Sequence, residues 1–127
     1  MKRKILLAIL LITIVLPVFA QNYFWVGFSD KKNTPYSIAK PNEFLSERAI
    51  QRRDRQQIEI DSLDLPVNKN YIKEVTDLGV EFVHSSKWLN GITVKVAIDS
   101  FEYKAKQLPF VKEVQLTKST GTKSAYN

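Results

Sequence analysis

The chain has no cysteine and a single histidine among its 127 residues. Without cysteine there can be no disulfide, no thiolate zinc site and no thiol nucleophile. With one imidazole, His84, a multi-histidine metal site is excluded. Glycine is scarce at four, and none of the four cluster, so no glycine-rich phosphate loop is present. Repeats and low-complexity segments are also missing. The one long apolar run is at the N-terminus. Lys2, Arg3 and Lys4 precede an uncharged stretch from Ile5 to Ala20, broken by Thr13 and Pro17 and ending Val18-Phe19-Ala20 before Gln21. That is the layout of a secretory signal peptide, with cleavage expected between Ala20 and Gln21. The run is shorter than the roughly 20 residues of a spanning helix. No stable membrane insertion is therefore expected after cleavage, and an uncleaved anchor is the competing reading. Losing three of the 19 cations leaves residues 21–127 with 16 cations against 13 acids, a net of +3, so the pI of 9.6 overstates the basicity of the exported product. A chain of this length carries one modest core and no second domain.

The exported part reads as alternating elements. Tyr23 to Ser29 is aromatic and β-branched and suits a strand, with Phe24, Val26 and Phe28 on one side and Tyr23, Trp25 and Gly27 on the other. Residues 30–41 are polar, with two prolines, and read as a loop. A helix is expected over 42–57, with Asn42 as its N-cap and Glu43 and Glu47 near its start. Ile58 to Leu65 reads as a solvated, extended connector. Asn68 caps a second expected helix from Lys69 to Leu78, with Tyr71, Ile72, Val75 and Leu78 at helical spacing and Gly79 as its C-cap. Val80 to Ser85 alternates as a strand. Asn90-Gly91 predicts a two-residue hairpin turn. Ile92, Val94, Val96 and Ile98 form the inward face of the return strand. Asp99 and Glu102 suggest a capping box before a helix with Phe101, Ala105 and Leu108 on its face. A last strand is expected from Phe110 to Leu116, and residues 117–127 read as a flexible tail. With the extra helix set aside, the order is β-α-β-β-α-β. This is the ferredoxin-like plan, an α+β fold in which a four-stranded antiparallel sheet carries two helices on one face. The organisation is thus a signal at 1–20, a domain at 21–116 with its extra helix at about 42–57, and the tail.

Little here can do chemistry. His84 has no aspartate partner at a fixed spacing, and Ser85 and Ser86 beside it do not make a triad. No G-x-S-x-G turn occurs. Glu59, Asp61 and Asp64 sit on the connector and lack both the cleft a glycosidase needs and the spacing of a calcium loop. Arg48, Arg52, Arg53 and Arg55 are offset by Glu43, Glu47 and Asp54, and the return strand lacks an RNA-binding pattern, so nucleic acid is not an expected partner. No cofactor, metal or catalytic residue is implied. Composition and spacing lead to an exported interaction module.

Several runs go further. Tyr23-Phe24-Trp25-Val26-Gly27-Phe28-Ser29-Asp30-Lys31, Thr34-Pro35-Tyr36-Ser37 and Phe44-Leu45-Ser46-Glu47-Arg48-Ala49 stand in order, followed by Asp64-Leu65-Pro66-Val67-Asn68 and Ser85-Ser86-Lys87-Trp88-Leu89-Asn90-Gly91. Together they resemble the N-terminal propeptide of secreted subtilisin-like serine peptidases of the Bacteroidetes type, over about residues 23–116. The resemblance implies a folding assistant and temporary active-site inhibitor, exported to the periplasm, cell surface or medium. Its partner would be a subtilisin-like catalytic domain, in cis or in trans, belonging to a serine endopeptidase precursor. In that family a catalytic domain with Asp, His and Ser follows, whereas this chain ends at Asn127. A precursor fragment, a truncated product and a stand-alone relative all fit. The resemblance also implies that the sheet face opposite the helices docks on the enzyme and that the tail enters its cleft. By topology the docking face would be Tyr23, Trp25, Val83, Thr93, Lys95, Val111 and Glu113. The cleft segment would begin at Thr117, Lys118, Ser119 and Thr120. The alternatives are a free-standing exported adhesion or binding module, and a small hydrolase built on His84.

Overall fold

Alternation of apolar and polar residues in Asn22–Phe28 makes β1, the centre of the sheet. The computed structural model describes residues 21–119; the expected signal and residues 120–127 lie outside them. After β1 come a 3-10 turn at Pro41–Glu43, α1 at Glu47–Gln56, a second 3-10 turn at Ser62–Asp64 and α2 at Lys69–Thr76. Then follow β2 at Glu81–Ser86, β3 at Gly91–Val96, α3 at Phe101–Lys106 and β4 at Val111–Ser119. The four strands pair antiparallel in the order β2-β3-β1-β4. That is the split arrangement expected from the sequence.

One face of the sheet carries the core. Phe24, Val26 and Phe28 of β1, Ile92, Val94 and Val96 of β3 and Val114 of β4 are buried together with Val75, Phe101, Ala105 and Phe110. Each fully buried aliphatic or aromatic side chain contributes about 2 kcal/mol. Phe101 meets Phe24 edge to face at 5.5 Å, and Tyr71 stacks on Phe110 at 4.1 Å while Phe28 approaches both rings edge-on. Helix α2 is capped by buried Asn68, whose Oδ1 accepts from Asn70 N at 2.9 Å and whose amide donates to Lys32 O. It ends two residues early, and Gly79, at φ 88°, donates to Thr76 O.

Several local expectations are corrected. The helix expected over 42–57 is two pieces, because Ser46 caps α1 with its Oγ accepting from Ala49 N, in place of Asn42. The connector is not fully extended: Asp61 and Asp64 form a capping box around the 3-10 turn. The Asp99/Glu102 box does not form. Ser100 precedes α3 without a side-chain cap, and Glu102 pairs with Lys106 instead. Strand β3 ends at Val96, leaving Ile98 40% exposed and outside the core. The β2–β3 connection is the four residues 87–90 and not a two-residue turn. Asn90 takes the left-handed conformation (φ 49°), while Gly91 already belongs to β3 and pairs with Ser86.

Candidate docking surface

The helices cover one side of the sheet, so the chemistry of the other side depends on which residues the register turns toward it. Tyr23 pairs with Lys95, Trp25 with Thr93 and Gly27 with Gly91, so all six share the bare face. On β4, Glu113 faces Gly27, Gln115 faces Trp25 and Lys118 faces Tyr23. On β2, Glu81 faces Lys95 and His84 faces Thr93.

Trp25 is the centre of this surface. Its Nε1 donates to Glu113 Oε1 at 3.3 Å, and its ring lies over the two glycines beside it. A Cβ on Gly91 would stand 2.5 Å from Trp25 Cζ2, and a Cβ on Gly27 3.3 Å from Trp25 Nε1. The glycines thus make room for an indole lying along the sheet. Around it, Lys95 pairs with Glu81 at 3.4 Å, Lys118 Nζ stands 5.8 Å from the Tyr23 ring, and His84 Nε2 and Thr93 Oγ1 share a hydrogen bond at 3.2 Å. The result is an aromatic centre rimmed by polar groups of both signs.

Five of the seven residues expected on this face lie there: Tyr23, Trp25, Thr93, Lys95 and Glu113. The other two are displaced by β-bulges, each of which inserts one residue and reverses the alternation beyond it. Between the Gly27–Glu113 and Phe28–Val111 pairs the register shifts, so Val111 stands opposite Phe28 and packs on the core side. A second shift, between Phe82 and His84, leaves Val83 without a cross-strand partner and gives the place beside Thr93 to His84. The expected tail also differs. Thr117, Lys118 and Ser119 belong to β4: Lys118 and Ser119 pair with Tyr23 and Asn22, and Thr117 Oγ1 donates to Tyr23 O at 2.9 Å. Thr120 lies outside the described residues.

The arginine-bearing segment leaves this face open. Helix α1 packs on the preceding 3-10 turn, and its Arg53 reaches to the side. There Arg53 binds Asp64, which is 1% exposed, and Lys87 Nζ lies 3.7 Å from the same carboxylate. Lys31 Nζ sits nearby among the carbonyls of Ser62, Leu63, Leu65 and Lys87, at 2.6–3.2 Å. Burial pushes its ammonium below the ordinary lysine range, with Lys87 adding to that and Asp64 and Asp61 opposing it. Trp88 closes the cluster, with Lys87 and Arg53 at 4.6 and 5.9 Å from its ring. Asp64 of the connector therefore serves as an anchor. Sequence reasoning missed this because Lys31, Asp64 and Lys87 are far apart in the chain.

His84 is bonded to Thr93 and to no carboxylate among the described residues, and Ser85 pairs with Ile92 on the core face. No three His, Cys, Asp or Glu side chains gather into a metal-holding group among the described residues, and no helix there is long and apolar enough to cross a membrane. A family model described as the peptidase S8 propeptide domain of Bacteroidota matches residues 23–127. No curated protein and no solved structure matches the chain.

Proposed function

The chain belongs to the peptidase S8 propeptide family of Bacteroidota, and from that premise we propose that it assists the folding of a subtilisin-like serine protease and inhibits it until maturation. A propeptide domain is not itself catalytic and associates with an S8 catalytic domain. The observation that supports the finer reading best is the bare sheet face centred on Trp25, which the insertion helix leaves uncovered. A large, half-buried indole held flat by Glu113 and two glycines loses little freedom on docking, which is how hot-spot residues gain affinity.

The second element of the mechanism is β4. It is an edge strand, paired with β1 on one side only. Through Ser119 the chain is extended within β4, so a continuation that enters a substrate cleft as an added strand does so at reduced ordering cost. Binding the folded enzyme and not the unfolded one stabilises the fold by linkage. A covalent tether would raise the effective concentration of the inhibitor, and cleavage in the tail would convert it to a dissociable one. The basic head and apolar run of residues 1–20 have the layout of an export signal, which fits this reading.

The test is a refolding and inhibition assay with the chain and a denatured S8 protease from the same genome. We expect a higher yield of active enzyme and tight inhibition before proteolysis. Trp25→Ala should weaken docking at least tenfold, about 1.4 kcal/mol or more. Deleting residues 120–127 should weaken active-site inhibition more than docking. Unchanged yield together with no inhibition rejects this function.

A further inference from the structure

Helix α1 sorts its charges by side. Arg48, Arg52 and Arg55 recur at i, i+4 and i+7, which places them in one stripe. Ala49, Ile50 and Arg53 face inward, and Glu47 and Asp54 fall on the opposite flank. Nearly every other described cation has a partner: Lys32, Lys40, Lys73, Lys87, Lys95, Lys106 and Arg53 have carboxylates, Lys31 has carbonyls, and Lys69 and Lys118 have rings. Arg48, Arg52 and Arg55 have none among the described residues, and they sit together.

Beside the stripe lies a groove of about 440 Å³, lined on one wall by Arg52 and Gln56 and on the other by Trp88, Leu63 and Ile58. Its apolar side chains are open to solvent, Trp88 at 57% and Leu63 at 53%. Its carboxylates are mostly occupied. Asp64 is neutralised by Arg53 and Lys87; Asp61 accepts from Leu63 N and keeps its charge, so among the described residues the unpaired positive charge lies on the stripe, which touches the groove lining only through Arg52. Glu59 alone lines the groove with a carboxylate that has no partner among the described residues.

We propose that this groove and stripe form a second binding surface, separate from the bare sheet face, that takes an acidic extended segment of a protein partner. The three guanidiniums of the stripe select an anion, the apolar groove beside them selects a neutral side chain, and the spacing of the guanidiniums selects a peptide. Along the helix axis Arg48 and Arg52 are about 6 Å apart. Alternate side chains of an extended chain are about 7 Å apart. Carboxylates at alternate positions therefore meet successive arginines as charge-assisted pairs, while an apolar side chain between them enters the groove against Trp88 and Leu63. A membrane surface would need a flat face, whereas this one is concave. The inference does not depend on protease inhibition, since it uses none of the residues of the sheet face.

The experiment titrates the full chain against a fluorescein-labelled peptide Glu-Leu-Glu-Leu-Glu, its Gln-Leu-Gln-Leu-Gln counterpart, and vesicles of phosphatidylglycerol, read by anisotropy and by tryptophan emission. We expect the acidic peptide to bind at least tenfold tighter than the neutral one and to weaken severalfold when salt rises from 0.05 to 0.5 M, roughly the change from weak to strong Debye screening. Arg52→Glu should weaken binding at least fivefold. Lys104→Glu, the same charge change on α3, should alter it less than twofold, and Glu59→Gln should tighten it. Circular dichroism establishes that each variant is folded. Equal binding of both peptides, no binding of the acidic one, equal losses in Arg52→Glu and Lys104→Glu, or binding to vesicles alone overturns the proposal.

Discussion

Gly91 lies beneath the indole of Trp25, so close that a Cβ added to it would stand 2.5 Å from Cζ2 of that ring and 2.4 Å from the carbonyl oxygen of Val26. Its need for glycine comes from this approach and not from a left-handed turn. Gly91→Ala must move a backbone atom of the central strand as well as the ring. We expect a loss of about 3 kcal/mol, the upper end for overpacking, read as a lower urea midpoint. Trp25 emission should shift as the ring lifts off the sheet. An alanine variant as stable as the parent would contradict the packing.

Asp64 holds the insertion to the domain. Replacing it by Ala leaves Arg53 and Lys87 facing each other in a poorly solvated place and removes the acceptor for Asp61 N. Breaking such a buried pair costs about 3 kcal/mol. Hydrogen exchange should rise first in α1 and around residues 58–65, and the sheet should remain protected.

Stability should fall in acid through Asp30. Its carboxyl lies below the ordinary range of 3.8, chiefly because Lys32 N donates to it, with help from the Tyr71 hydroxyl at 2.9 Å. Between the folded and unfolded values the unfolded chain binds more protons, so stability rises with pH there and is lost as pH falls through the folded value. Asp30→Asn should flatten the pH dependence of the urea midpoint below about pH 4. Tyr71→Phe should cost about 1 kcal/mol at neutral pH and remove part of the same slope. An unaltered acid limb in Asp30→Asn would show that other carboxylates carry it.

Asn90 joins the β2–β3 turn to the end of β1. Its amide donates to Phe28 O and Asp30 O at 3.2 and 2.9 Å, and its φ is 49°. Asn90→Ala loses both bonds and strains the backbone, at about 2 kcal/mol. Asn90→Gly loses the bonds but relaxes the conformation, at about 1 kcal/mol. Thermal melts of the two variants should rank in that order.

The legible part of this protein is what short-range patterns report. Phe24, Val26 and Phe28 alternate, as do Ile92, Val94 and Val96, and Tyr71, Ile72 and Val75 recur at helical spacing; in each case the pattern and the burial agree. Trp25, Thr93 and Glu113 are assigned to the bare face by the same alternation. Val111 and Val83 are not, because a bulge depends on how two strands far apart in the chain fit each other. Ser46 in place of Asn42 as the cap of α1, and the absent cap at Asp99, show a similar limit: several residues can cap a helix, and packing chooses among them.

Composition and periodicity by themselves determine the strand and helix order, the core face and the lack of thiol chemistry, because each follows from residue type and near neighbours. The tertiary structure alone decided that Asp64 would be an anchor for Arg53 and Lys87, that Lys31 would be ringed by carbonyls, and that Trp25 would lie over Gly91. Those contacts join residues 11 to 66 positions apart in the chain. Their energies come from burial and from the geometry of assembled elements, which no local pattern encodes.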